Sequence, residues 1–314
     1  KNPRRRGDPG GPRISTAMSA TATTTLPESL QSLALEAERR YHVFPLVTGK
    51  KKRWIEAPDS ELKAAQRWLL DHWLYRLPPT GLAHGFVPGR SILSNAAHHV
   101  GREWVITADI RDFFPSITLP RVAECLAPLE LDDETAWAVV QLVTRRGRLP
   151  QGAPTSPHLA NLVARPLDRH LAGLGREQGW TYTRYADDLT FSSNEAPAHS
   201  TTPRELIGNI GRIVTDEGFR LADHKTHVMS RHQRQLVTGL VVNQRLALPK
   251  PKRRLLRAML HRLQTSGLES LDLHQVQVVH GHLAMARLVD PDGFTQTCHE
   301  LSGLLHEVNT NRPR

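Results

Sequence analysis

Cysteine is scarce in this chain of 314 residues, which contains only Cys125 and Cys298 and no CxxC pair. This scarcity argues against a disulfide-stabilised scaffold and against a zinc site. Long apolar runs are also missing, because no stretch approaches the roughly 20 apolar residues that a membrane span needs. The N-terminal region lacks the apolar segment of a signal peptide. We therefore expect a cytoplasmic protein with no membrane partner.

Acidic residues are outnumbered, since 41 Lys and Arg stand against 31 Asp and Glu and give a net charge of +10. The first 17 residues hold five basic residues and one acidic residue, so the remainder of the chain is still basic. A basic chain favours a polyanionic partner, and nucleic acid is the leading candidate. The alternative at this point is a soluble basic protein with no such partner.

The first third of the chain changes character twice. Residues 1–27 are rich in Gly, Pro, Arg, Ser and Thr, which predicts a disordered basic tail. A short helix is predicted over 28–40, and a hairpin with basic residues at its tip over 45–58. Asp59 is placed to cap a strong amphipathic helix.

The middle of the chain mixes strands and helices. The stretch WVITADI, residues 104–110, predicts a buried strand, and residues 119–146 predict mostly helix. Ser156 at the N-cap and Pro157 at the first helical position predict a helix start. The stretch TYTRYADDLTFSS, residues 181–193, predicts a hairpin.

The last third becomes increasingly helical. A capping box that begins at Thr202 predicts a helix to about Glu217. The stretch LVTGLVVN, residues 236–243, predicts another strand, and three helical segments rich in Arg and Leu are predicted from about Lys250. Strands flanked by helices and followed by helices predict an α+β core with an appended helical domain.

Three carboxylates carry the chemical signal. Asp109 ends the predicted strand 104–110, while Asp187 and Asp188 are adjacent in the predicted hairpin. Carboxylates from distant strands can meet at one end of a sheet and form a hard-oxygen site suited to Mg²⁺. Two such ions about 4 Å apart stabilise phosphoryl transfer. The alternative for the Asp pair alone is an ordinary exposed turn, where Asp is common.

Three stretches, in this order along the chain, favour the metal site over the exposed turn: TADIRDFFPSI, LPQGAPTSPHLANL and RYADDLTF. They resemble motifs A, B and C of reverse transcriptases, and the combination is far more specific than a YxDD tetrapeptide alone. An NAxxH pattern in SNAAHH and a VTG triplet on the strand after motif C resemble bacterial retron reverse transcriptases. The resemblance covers roughly residues 41–260.

The resemblance implies a right-hand polymerase with fingers, a palm of antiparallel sheet and helices, and a helical thumb. It also implies a division of the chain into a disordered tail (1–27), an N-terminal helix with fingers (28–103), a first palm segment (104–120), a second fingers segment (121–154), a second palm segment (155–246) and a helical thumb (247–314).

The resemblance also implies the roles of individual residues. Two Mg²⁺ would be held by the three carboxylates and by a backbone carbonyl, namely Asp109, Asp187, Asp188 and Ile110. For the incoming nucleotide, Arg53 would clamp the triphosphate and Phe114 would be the steric gate against ribonucleotides. Gln151 and Gly152 would form the motif B pair at the nucleotide, and Lys225 would donate a proton to pyrophosphate. One of Lys50, Lys51 or Lys52 would assist the clamp.

RNA contacts are implied for the NAxxH pattern, the VTG triplet and the first basic residues of the thumb. They comprise Asn95, His99, Val237, Thr238, Gly239, Lys252, Arg253 and Arg254. Asn95 and His99 are spaced for one helical face, and the alternative is local hydrogen bonding that holds fingers to palm. The alternative for the basic segment is a solvated helix face.

A retron enzyme copies part of a cognate structured noncoding RNA into DNA from deoxynucleoside triphosphates, primed by a guanosine 2′-OH. The resemblance therefore implies a branched RNA–DNA product (msDNA) and a role in phage defence with a toxin-like effector protein. Two rival interpretations remain open. They are another bacterial reverse transcriptase, such as an abortive-infection enzyme, and a non-catalytic RNA-binding scaffold.

Overall fold

The computed structural model describes residues 25–49, 51–194, 202–266, 273–289 and 299. The strands are β1 Tyr41–Thr48, β2 Lys51–Pro58, β3 Trp104–Asp109, β4 Thr181–Tyr185, β5 Asp188–Ser193, β6 His227–Ser230, β7 Leu236–Val237 and β8 Leu240–Val241. The α-helices are α1 Glu28–Ala34, α2 Ser60–His72, α3 Ile92–Ala97, α4 Phe113–Ser116, α5 Leu119–Leu126, α6 Asp133–Val143, α7 Ser156–Val163, α8 Arg165–Glu177, α9 Pro203–Asp216, α10 Lys250–Ser266 and α11 Leu273–Val289.

The centre of the fold is an antiparallel sheet of four strands in the order β4-β5-β3-β6. Val105 and Ile106 of β3 are both fully buried, although neighbouring side chains of a strand point to opposite faces. Ile106 belongs to the larger hydrophobic core, and Val105 belongs to a smaller one that includes residues of α10 and α11. The strand that ends in Asp109 is therefore covered on both sides.

Local sequence signals account for several boundaries. Asp59 caps α2 through its Oδ1, which accepts a hydrogen bond from the Leu62 N–H at 2.9 Å. Thr202 and Glu205 form the expected capping box, and α9 ends one residue before the predicted boundary. The predicted hairpins over 45–58 and 181–193 are both present. Because each of these features depends on residues close together in the chain, the sequence predicts them well.

Other predicted boundaries were wrong. The predicted helix 28–40 stops at Ala34, and a single 3-10 turn follows over Ala37–Arg39. Leu26 is 1% exposed within the larger core, so the predicted tail ends before it. The N-cap of α7 is Thr155, because Ser156 already has helical backbone and donates its hydroxyl to the Pro150 carbonyl.

The predicted strand 236–243 is instead a tight hairpin. β7 and β8 pair antiparallel, and the two residues between them, Thr238 and Gly239, have positive φ values of 47° and 79°. Positive φ at both positions is typical of the type I′ turn that joins two-residue hairpins. The Thr238 hydroxyl donates a hydrogen bond to the Ile92 carbonyl, which ties this turn to α3.

Two of the three predicted C-terminal helices are present as α10 and α11. The third predicted segment and most of the tail 1–27 lie outside the described residues. Within the described ranges, none of the helices combines the length and the apolar character that crossing a membrane requires.

Candidate active site

The three carboxylates meet at one end of the central sheet. Asp109, the last residue of β3, is paired in register with Asp188, the first residue of β5. The Ile110 N–H donates a hydrogen bond of 2.9 Å to the Asp187 carbonyl. Residues from distant parts of the chain are thus adjacent, as the sequence predicted.

The turn between β4 and β5 has an uncommon backbone. Tyr185 pairs with Asp188, so Ala186 and Asp187 alone form the turn, and Ala186 has a φ of 55°. A left-handed conformation is uncommon for a residue with a side chain and is found often at functional sites. Gly85 packs directly on this turn, since a Cβ placed on it would lie 2.4 Å from the Ala186 nitrogen.

The electrostatics of this edge favour a cation. Burial raises the pKa of Asp187, and the neighbouring charge of Asp109 raises it further, whereas Lys225 and Arg53 lower it. The Lys225 ammonium lies 2.6 Å from Oδ1 of the largely buried Asp109. Crowded carboxylates destabilise one another unless positive charge is nearby. In this structure Lys225 supplies the positive charge closest to Asp109.

The donor set suits a divalent cation such as Mg²⁺. Carboxylate oxygens of Asp109, Asp187 and Asp188, with the Ile110 carbonyl, are hard ligands of the kind that Mg²⁺ prefers. In the part of the chain that the structure describes, no three acidic, His or Cys side chains already form a cage around an ion. Oδ1 of Asp109 is engaged by Lys225, so a metal bound to this oxygen would compete with the ammonium. The ligand chemistry fits, while the cage is not preformed.

Arg53 lies on β2, opposite Leu46, and its positive charge lowers the pKa of Asp187. This placement puts a guanidinium near the acidic edge, and the role of Arg53 as a triphosphate clamp stays a prediction. Lys52 instead places its ammonium over the ring of Trp54, 4.5 Å from the centroid. The side chains of Lys50 and Lys51 lie outside the described residues.

Gln151 and Gly152 are bound to the β1–β2 hairpin through the backbone. The Glu56 N–H donates to the Gln151 carbonyl at 2.8 Å. Gly152 has a φ of 137°, and a Cβ there would lie 2.8 Å from the Glu56 carbonyl oxygen. The close approach expected of Gly152 is therefore to β2. Glu56 also forms an ion pair with Arg145, which further ties β2 to the segment before Gln151.

Phe114 and Phe113 differ in burial. Phe113 is a core residue at 3% exposure. Phe114 is partly buried at the edge of the core, and its ring lies 5.9 Å from that of Phe86. Asp112 has a left-handed backbone at the start of α4, which turns the chain directly after β3. Phe114, five residues after Asp109 in the chain, is therefore only partly buried and leaves part of its ring exposed to solvent.

The expectation that Asn95 and His99 contact RNA does not fit their burial, because both are 0% exposed. The Thr183 hydroxyl donates its hydrogen to Asn95 Oδ1, so the Thr183 oxygen accepts a hydrogen bond from Nε2 of His99. Nδ1 of the same His99 ring then accepts from the Ser192 hydroxyl. Burial lowers the pKa of His99 to about 3, which keeps the ring neutral. These contacts correspond to the alternative in which the pair holds α3 against the sheet.

The other predicted RNA contacts have different surroundings. Val237 is 0% exposed in the smaller core, so its side chain is also unavailable to RNA. Thr238 and Gly239 remain accessible at their turn. On α10, Lys252 and Arg253 are half-buried and Arg254 is exposed, so the basic start of this helix remains a candidate surface.

Sequence reasoning missed Arg184 and Asp168, which are both 0% exposed and joined by an ion pair of 2.7 Å beneath the acidic turn. A signal was present, because Arg184 lies within the predicted hairpin among residues typical of strands. A buried guanidinium requires a carboxylate partner. The sequence does not identify that partner, because the local pattern around Asp168 is that of an ordinary helix residue.

Comparison with known proteins gives the family. The profile of the family "Reverse transcriptase (RNA-dependent DNA polymerase)" matches residues 48–279. The retron Ec86 reverse transcriptase of Escherichia coli is 33% identical over 294 residues, covering 92% of this chain and 89% of that protein. The chain belongs to the retron-type reverse transcriptases. Its α+β architecture is therefore the right-hand polymerase fold, and the predicted fold class is confirmed.

Two further retron-type reverse transcriptases come from Myxococcus xanthus. The retron Mx65 enzyme is 40% identical over a match of 276 residues, and the comparison covers 81% of this chain and 63% of that protein. The retron Mx162 enzyme is 41% identical over a match of 272 residues, and the comparison covers 76% of this chain and 56% of that protein. This chain thus spans less than two thirds of the length of either. Among solved structures, telomerase from Candida albicans aligns over 91% of this chain and 61% of its own, with a TM-score of 0.47 and 11% identity.

Proposed function

We propose that this chain is an RNA-directed DNA polymerase that adds deoxynucleotides to a primer on an RNA template. The observation that carries the proposal is the pairing of Asp109 with Asp188, with Asp187 in the adjoining turn. Family membership supports it, and reverse transcriptases generally use divalent metal ions. We propose Mg²⁺, with two ions, because the ligands are all hard oxygens.

The reaction is a phosphoryl transfer. A primer hydroxyl oxygen forms a bond to the α-phosphorus, the bond from that phosphorus to pyrophosphate breaks, and the hydroxyl proton leaves to solvent. When bound, Mg²⁺ lowers the pKa of the hydroxyl and offsets charge on the phosphates. Asp109, Asp187, Asp188 and the Ile110 carbonyl supply the ligands. Lys225, adjacent to Asp109, donates a proton to the leaving pyrophosphate.

Nucleotide selection follows from the residues around this edge. Arg53 binds triphosphate oxygens, for which a planar guanidinium is well suited. The partly open ring of Phe114 excludes the 2′-OH of a ribonucleotide by steric clash. Gln151 contacts the sugar and base of the nucleotide, and Gly152 keeps the loop that carries Gln151 close to β2.

The template of this enzyme is a cognate structured noncoding RNA, and priming from a guanosine 2′-OH gives branched msDNA. Membership among retron-type enzymes supports this finer assignment. The start of α10 tracks phosphates by charge through Lys252, Arg253 and Arg254, and the Thr238–Gly239 turn lies near the primer end. Asn95, His99 and Val237 act indirectly, by holding α3 and the β7–β8 hairpin in place. A toxin-like effector completes the antiphage system.

The decisive experiment compares Asp187→Asn with Asp133→Asn, an exposed carboxylate in the first turn of α6. Incorporation of deoxynucleotides on an RNA template should be lost in the first variant and retained in the second. Persistent synthesis by Asp187→Asn would show that the metal assignment is wrong. Nucleic-acid binding without synthesis in the unaltered protein would favour the scaffold interpretation.

Sequencing the nucleic acid that copurifies with the protein distinguishes the enzyme types. A single branched RNA–DNA species supports the retron assignment. Heterogeneous DNA with no template sequence would favour the abortive-infection type instead.

A further inference from the structure

A fully buried ion pair lies beneath the turn that carries Asp187. Arg184 Nε and Nη2 donate to Asp168 Oδ1 and Oδ2, each at 2.7 Å. Oδ1 also accepts from the Tyr182 hydroxyl at 2.9 Å, and Oδ2 from the Thr80 hydroxyl at 2.7 Å. Each carboxylate oxygen of Asp168 thus accepts two hydrogen bonds, which fixes the orientation of the guanidinium.

The remaining Nη1 of Arg184 is directed at the turn itself. It donates to the Ala186 carbonyl at 3.1 Å and to Asn161 Oδ1 at 2.9 Å. Asn161 in turn donates to the carbonyl of Gly85, the residue that packs against Ala186. The left-handed residue immediately before Asp187 is therefore held by a charged donor from one side and by backbone packing from the other.

The backbone of Arg184 is fixed as well. Its N–H donates to the Leu82 carbonyl at 2.9 Å, and its carbonyl accepts from the His84 N–H at 2.7 Å. These bonds hold the segment before Gly85 alongside β4, the strand that leads into the turn. The guanidinium and the backbone of one residue thus connect α7, α8 and the 82–85 segment to the acidic turn.

Stability alone is a weak explanation for such a pair. A buried ion pair is often no more stabilising than apolar side chains of the same volume, because desolvation offsets the attraction. A charged donor is, however, the strongest hydrogen-bonding group that can be aimed at a carbonyl. Groups that do not touch a metal but hydrogen-bond to its ligands and orient them commonly govern the affinity for the metal.

We propose that Arg184, oriented by Asp168, is a positioning residue that sets the Ala186–Asp187 turn for divalent metal binding. This inference rests on the proposed function, since it concerns the ligands of the same site. Arg184 does not touch the metal or the substrate, and it acts through the Ala186 carbonyl. The ligand is a hard divalent cation, for which Mn²⁺ serves as the probe.

The test is the double variant Arg184→Met with Asp168→Leu, which removes both charges together and leaves no unpaired buried ion. Mn²⁺ affinity is measured by electron paramagnetic resonance in the absence of nucleotide, and amide exchange over 184–189 is measured in metal-free protein. We expect Mn²⁺ binding to weaken by about 10–100-fold. We expect the turn amides to exchange faster, while β6 and α9 remain protected as before.

A second variant keeps the test informative if the double variant does not fold. Arg184→Lys keeps the charge opposite Asp168, but its compact ammonium lacks the planar fork with which the guanidinium bonds both carboxylate oxygens and the Ala186 carbonyl. It should fold and show a smaller loss of Mn²⁺ affinity than the double variant. The control for lost stability is Leu206→Ala, at a fully buried core residue in α9. This control should lower the melting temperature and leave Mn²⁺ affinity unchanged.

Failure of the inference and failure of the proposed function are distinguishable. Unchanged Mn²⁺ affinity and unchanged turn exchange in folded Arg184 variants would overturn the positioning role. An equal loss of affinity in Leu206→Ala would also overturn it, because the effect would then be general destabilisation. Absence of polymerisation by the unaltered protein would instead overturn the proposed function, and the exchange measurement would still be valid.

Discussion

The Lys225 ammonium lies 2.6 Å from Oδ1 of Asp109, so one side chain proposed for catalysis neutralises another before any metal is bound. The same ammonium lowers the pKa of Asp187, which burial and Asp109 raise. Lys225 thus has two effects on the site. It stabilises the carboxylate cluster in the metal-free protein, and it competes with a bound cation for Oδ1 of Asp109.

The two effects of Lys225 can be measured separately. Lys225→Gln should slow single-turnover nucleotide incorporation by about 100-fold, because a general acid typically contributes at least that much. In the metal-free protein, the same substitution should raise the pKa of Asp187 further, as followed by carboxyl NMR. Arg212→Gln, an exposed cation on α9, is the control and should change neither quantity. An unchanged rate in Lys225→Gln would contradict the role as proton donor.

The raised pKa of Asp187 predicts how metal-free stability depends on pH. The folded protein disfavours the ionised carboxylate, so near neutral pH this group lowers the free energy of unfolding. As the pH falls below the pKa of Asp187 in the folded protein, the folded state gains a proton that the unfolded state has not yet taken up, so the cost shrinks. It is gone once the pH is below the pKa of this group in the unfolded state. Asp187→Asn should therefore melt at a higher temperature than the unaltered protein at pH 7 without metal, and the difference should vanish under acidic conditions. A lower melting temperature for Asp187→Asn at pH 7 would contradict the prediction.

His99 predicts the opposite trend at acidic pH. Its pKa is lowered to about 3 in the folded protein, compared with about 6.5 when exposed, so the unfolded state takes up the proton first. The stability that this group contributes above pH 6.5 should fall by up to about 1.4 kcal/mol per pH unit between those values. His99→Gln, which cannot ionise, should show a shallower decline in chemical denaturation across pH 6 to 4.

The same His99→Gln variant tests what the NAxxH pattern does. Because the ring contacts Thr183 and Ser192 and has no exposed surface, its loss should change stability and leave the intrinsic affinity for RNA unchanged. RNA binding by the folded fraction is the measurement. A loss of RNA affinity at full folding would restore the expectation of a direct contact.

Phe114 predicts a change in sugar selectivity. Phe114→Val opens space beside the partly buried ring, so the ratio of kcat/KM for ribonucleotides over deoxynucleotides should rise by at least about tenfold, as expected when a steric clash is removed. Phe113→Val is the matched control, because Phe113 is 3% exposed in the core and should lose stability without gaining ribonucleotide use. Equal selectivity in both variants would exclude Phe114 as the gate.

Features set by neighbours in sequence could be predicted from the residues alone. The cap at Asp59 and the capping box at Thr202 depend on residues three positions away. The meeting of Asp109 with Asp188 could be predicted because Asp109 lies at the end of a strand that reads as buried and Asp188 lies in a predicted hairpin.

Features set by distant partners could not be predicted in the same way. A polar NAxxH pattern on a helix reads as a surface until Thr183 and Ser192 on the sheet are placed against it. Gly152 reads as a residue near a ligand, whereas the atoms closest to it belong to β2. Asp168 reads as an ordinary helix residue until Arg184 reaches it from β4. In each case the missing information is which elements pack together.

The two hydrophobic cores that share β3 have a consequence for heat inactivation. Val105 and Ile106 are anchored in different clusters, and both lie within five residues of Asp109. Melting of either cluster would release one face of the strand and let Asp109 drift from its partner on β5. Catalytic lifetime at elevated temperature should consequently follow the weaker of the two clusters, even if most of the molecule is still folded.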